Sequence, residues 1–96
     1  MRILTLNDGT EYELDWCHGD KGILNINIVS GASIVELATK FSNPEATSHI
    51  HATFGDTTFD QDYDGYTELY SISIDSWKTG TTMVTLMKPD RIAQVA

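Results

Sequence analysis

The chain reads as an α+β domain, a mainly antiparallel sheet of about six strands covered by one α-helix over residues 33–42. Two observations predict it: apolar and polar residues alternate with period two along most of the length, and one segment alone switches to helical spacing. At 96 residues the chain suffices for one core and no second domain. We assign residues 1–89 to that domain and expect 90–96, which carry no anchoring pattern beyond Pro89, to form a flexible tail.

Leu6 is followed by Asn7-Asp8-Gly9 and then by a faultless alternation from Thr10 to Trp16, which puts Tyr12, Leu14 and Trp16 on one strand face and Glu11, Glu13 and Asp15 on the other. A three-residue loop with Gly9 left-handed would set Leu4 opposite Tyr12, whereas a two-residue loop would set Leu6 opposite Glu11. We prefer the former. A connection over Cys17 to Gly22 leads to a strand from Ile23 to Val29, with Leu24, Ile26 and Ile28 inward.

Ile34, Leu37, Ala38 and Phe41 then recur at i, i+3, i+4 and i+7. Ser33 and Glu36 have capping-box spacing, Lys40 suits the last turn, and Asn43-Pro44 stops the helix. The second half returns to strands at His49 to Phe54, Thr67 to Trp77 and Thr82 to Lys88, the last two paired through a turn at Lys78-Thr79-Gly80.

Asp60-Gln61-Asp62-Tyr63-Asp64-Gly65-Tyr66 supports two readings. Asp60, Asp62, Asp64 and Gly65 fall at positions 1, 3, 5 and 6 of a helix-loop-helix calcium loop with Glu68 at position 9, but Ser71 replaces the bidentate glutamate and the flanks are not helical. A hairpin closed by Asp64-Gly65 would instead pair Tyr63 with Tyr66, Gln61 with Glu68 and Phe59 with Tyr70. We favour the hairpin, with calcium at Asp60, Asp62, Asp64 and Glu68 as the competing expectation.

His49 and His51 share one strand face and could give a metal two ligands, but no third lies nearby in sequence; solvent-facing histidines are the simpler expectation. Cys17 and His18 point to opposite faces of an extended chain, which argues against a thiolate and its base, so Cys17 is expected as a buried structural residue. Trp16 and Trp77 are read as core and sheet rim. The single cysteine excludes an intramolecular disulfide. With no nucleophile-base pair, glycine-rich phosphate loop or basic aromatic patch, the chain is not expected to be an enzyme.

Fourteen acidic residues against six basic ones give a formal charge of −8, which disfavours direct nucleic-acid or anionic-membrane binding and favours neutral or basic protein partners. No apolar run has the length of a signal peptide's core or a bilayer span, so a cytoplasmic setting is expected.

Leu4 to Tyr12, together with Gly65-Tyr66-Thr67-Glu68-Leu69 and Val84-Thr85-Leu86-Met87-Lys88, resembles small prophage-encoded proteins of unknown function. That resemblance implies a phage-associated setting, in the host cell or the virion, and carries no active-site residues across. The expected function is a non-enzymatic protein-binding or assembly module whose partner is another protein or a second copy of the chain. Its surface is expected at Tyr63, Tyr66 and Tyr70. The alternatives are an acidic inhibitor that presents Glu11, Glu13 and Asp15 to a nucleic-acid-binding host protein at roughly 6.5–7 Å intervals, near the spacing of phosphates, and a calcium-stabilised binding domain.

Overall fold

Gly9, at φ +90°, lets the chain reverse after Leu6, whose amide donates to the Thr10 carbonyl at 2.8 Å. Leu4 then faces Tyr12, as the three-residue loop requires. The structure is a computed structural model that describes residues 2–29, 33–55, 58–74 and 81–89. In chain order these form β1 (Arg2–Thr5), β2 (Glu11–Asp20), β3 (Ile23–Ile28), α1 (Ile34–Phe41), α2 (Pro44–Thr47), β4 (His49–Phe54), β5 (Asp60–Asp64), β6 (Glu68–Ile74) and β7 (Thr82–Met87). The expected residues Asp75 to Trp77, the turn at Lys78-Thr79-Gly80 and the tail 90–96 lie outside the described residues.

The sheet is antiparallel throughout, in the order β5-β4-β1-β2-β3-β7-β6. It has seven strands rather than six, because the acidic segment supplies β5. The long strand β2 joins two half-sheets: Glu11 to Glu13 pair with β1, and Leu14 to Asp20 pair with β3. Between Leu14 and Trp16 the register shifts, so that Asp15 is a bulge. The alternation is reset there. Cys17 turns inward with Tyr12 and Leu14, and Trp16, expected on the inner face, stands half-exposed opposite Asn27.

Strand β2 runs through the segment expected as a connection and ends in a tight reversal at Lys21 and Gly22, both at positive φ (53° and 79°). Two consecutive positive φ values belong to a type I′ hairpin turn, whose twist matches that of its strands. A second bulge, between Leu69 and Ser71, turns Tyr70 outward, where it is 68% exposed; Leu69 and Ile72 stay opposite Leu86 and Val84.

Ser33 caps α1 by accepting the Glu36 amide at 3.1 Å. Leu37 and Phe41 are fully buried and Ala38 half-buried, but Ile34, in the first turn, is 38% exposed and adds little to the core. Phe41 lies 5.7 Å from the Tyr12 ring, centroid to centroid. Lys40 reaches Asp8 in the β1–β2 loop at 2.7 Å, and this contact, with the Thr10 amide, holds the Asp8 carboxyl down to about 2. Pro44 does stop α1, and it also opens α2 from its first position, with Asn43 as N-cap. The core is shared by both half-sheets: Leu4, Tyr12, Leu14, Ile50 and Ala52 meet Leu24, Ile26, Ile28, Val84 and Leu86.

Candidate functional site

Residues directly opposite in an antiparallel ladder point to the same face. In the half-sheet β5-β4-β1-β2 the register therefore writes out the outer face row by row. One row runs Asp62, His51, Thr5, Glu11, and the next runs Asp60, Thr53, Ile3, Glu13; a third begins Asp64, His49. Five carboxylates and two imidazoles share this face, all five carboxylates are exposed, and no lysine or arginine occupies any of these positions.

Within the grid, β4 and β5 form a side-chain ladder. His49 Nδ1 meets the Asp64 carboxylate and its Nε2 lies 3.3 Å from Asp62; His51 Nδ1 lies 2.7 Å from the same Asp62 oxygen and its Nε2 3.1 Å from Asp60. The hydrogen bond with Asp64 raises the His49 pKa above its ordinary value, and the one with His51 lowers that of Asp62. Among the described residues no three His, Cys, Asp or Glu side chains converge as a metal-holding group.

This geometry corrects both readings of the acidic segment. Asp60, Asp62 and Asp64 stand in line along a strand instead of converging, and Glu68 is on β6 at the other edge of the sheet, so the four do not form a calcium loop. The Asp64-Gly65 hairpin is absent as well: β5 pairs with β4, and β6 pairs with β7. Gly65 does take positive φ, +83°, but its amide donates to Ser48 at 3.0 Å and the chain crosses to the far edge.

The expected aromatic surface is corrected too. Tyr63 and Tyr66 are buried, at 9% and 8% exposure, and meet edge-to-face at 6.1 Å, so of the three tyrosines only Tyr70 faces solvent. Tyr63 presses on Gly19 of β2, where an added methyl would come within 2.7 Å of the ring. Its hydroxyl lies 3.8 Å from Cys17 Sγ; burial raises both pKa values. Cys17 is thus buried, as expected. Glu11 and Glu13 lie on the acidic face, while Asp15 stands at the bulge, out of line with them, and its carbonyl accepts from Arg2.

Residue-by-residue inspection of the sequence missed the pairing of His49 and His51 with the aspartates. A signal was present: His-x-His and Asp-x-Asp-x-Asp carry the same period and complementary charge, which is the pattern of two facing strands. No protein-family model, curated protein or solved structure matches the chain. No helix among the described residues is long and apolar enough to cross a membrane.

Proposed function

We propose that the protein is a non-enzymatic binding module that docks a cationic segment of another protein on the outer face of β5-β4-β1-β2. The observation that carries this reading is the gathering of Glu11, Glu13, Asp60, Asp62 and Asp64 on one face without an opposing lysine or arginine. Exposed charge of one sign steers an oppositely charged partner and repels a second copy of the same face. The phage-type assembly that the resemblance implies is the setting in which to seek the partner.

A lysine-rich probe peptide of about ten residues tests the face at low ionic strength, where screening is weak. Two substitution pairs remove equal charge: D60N/D62N from the acidic face, and D20N/E68Q from the other half of the molecule. The first pair should weaken binding several-fold more than the second. Equal losses would show that the probe reads net charge alone and would sink the proposal.

A narrower version follows from the uninterrupted register of β5, which spaces its three aspartates evenly at roughly 6.5–7 Å, as phosphates are spaced along a strand. In that version the partner is a nucleic-acid-binding protein. Duplex DNA should then compete with this protein for a basic DNA-binding domain, and D60N/D62N should abolish the competition.

A further inference from the structure

Strand β5 lies at the edge of the sheet, and of its five residues only Tyr63 is buried. Its outer side chains must therefore supply much of what its inner ones do not. On that outer face each imidazole is bracketed: both nitrogens of His49 face carboxylates, of Asp64 and Asp62, and both nitrogens of His51 face Asp62 and Asp60. A neutral imidazole has one N–H and one lone pair, so it can donate to only one of two flanking carboxylates and turns its lone pair on the other. An imidazolium donates to both. Carboxylates stand at both nitrogens of each ring, the placement that an imidazolium satisfies and a neutral ring does not. The neighbouring elements add to this preference, since β1 presents uncharged Thr5 in the row of His51 and β2 presents Glu11 in the same row and Glu13 in the next.

We propose that the alternating ladder Asp64, His49, Asp62, His51, Asp60 is a proton-operated clasp, which fastens edge strand β5 to β4 in mildly acidic solution and loosens it as the pH rises. The clasp does not depend on what the acidic face binds. Its direction follows from linkage. A histidine whose folded pKa is raised above 6.5, as that of His49 is, contributes stability fully below 6.5 and loses it as the pH climbs through the raised value. Asp62, lowered from 3.8, contributes above 3.8 and fails only as the pH falls through its lowered value. The clasp is closed between these limits and opens on the alkaline side, where the backbone ladder with β4 and the buried Tyr63 are left to hold the strand.

Amide hydrogen exchange followed by NMR tests it, with rates corrected for the intrinsic effect of pH. Protection of the β5 amides, taken relative to those of β3, should fall at least threefold between about pH 6 and 8, the range in which histidine charge changes. In H49Q/H51Q the profile should be flat, and H18Q, which alters a histidine on β2 outside the ladder, should behave as wild type. Constant β5 protection in wild type, or an unchanged slope in H49Q/H51Q, would overturn the clasp. The wild-type protein offers a second measurement that needs no variant: His49 should titrate above 6.5, and a midpoint at or below that value would overturn it too.

Discussion

The two halves of the sheet have similar inner faces and opposite outer ones. Inside, Leu4, Tyr12, Ile50 and Ala52 from one half meet Leu24, Ile26, Val84 and Leu86 from the other in a single core. Outside, the β5-β4-β1-β2 half gathers five carboxylates and two histidines, whereas the β2-β3-β7-β6 half carries Asp20 and Glu68 at one end and, along the rest, His18, Asn25 and the buried Asn27 beside Thr85, Met83, Ser71 and Ser73. There Thr85 donates to the Asn25 side-chain oxygen at 2.9 Å, a neutral bond where the first half places ion pairs. The difference separates two demands on one sheet. Burial explains the inner faces, and it does not account for the gathering of five carboxylates on one outer face where the other carries two.

If the inner faces are equivalent, core truncation should be equally costly on both sides. Leu24→Ala in the neutral half and Ile50→Ala in the acidic half, both fully buried, should each lower unfolding free energy by about 2–5 kcal/mol in urea titrations. A loss confined to one half would break the comparison and show two cores instead of one. Gly19→Ala probes the seam between the halves. Its methyl would press on the Tyr63 ring, and overpacking of this kind costs about 1–3 kcal/mol, with a changed near-ultraviolet signal from displaced tyrosines. A neutral result would mean that β5 yields without loss. The smallest effect is expected at Asp8, exposed at the helix-facing end of the acidic half. Its carboxyl, held down to about 2 from 3.8, stabilises the fold above 3.8 and ceases to do so as the pH falls towards 2. Asp8→Asn should therefore flatten the melting temperature of the variant across that acid range relative to wild type, and should leave the slope above pH 6 unchanged.

Local chemistry explains which parts of this architecture the sequence discloses. The helix and its Ser33 cap, the Gly9 loop with Leu4 opposite Tyr12, and the β6–β7 pairing all follow from residues close in sequence or from strict alternation. Strand β5 does not. Its partner β4 precedes it by a short loop, but Asp64-Gly65 has the composition of a tight turn, and a local hairpin would bring Tyr63 and Tyr66 together on a surface. The fold instead buries both rings, Tyr63 against Gly19 of β2, a contact between distant segments that no local pattern encodes. Tyr70 shows the same limit from the other side, since alternation places it inward with Ile72 and a bulge turns it out.

The bulge at Asp15 acts on β2 as a one-position frameshift acts on a reading frame. Before it, the even positions Tyr12 and Leu14 are inward; after it, the odd position Cys17 is inward. One strand can thereby belong to two half-sheets without breaking its alternation on either side. Were Asp15 taken into the ladder instead of bulging out of it, Trp16 would replace Cys17 beneath Tyr63, so the looping-out of one residue sets what the interior of the molecule contains.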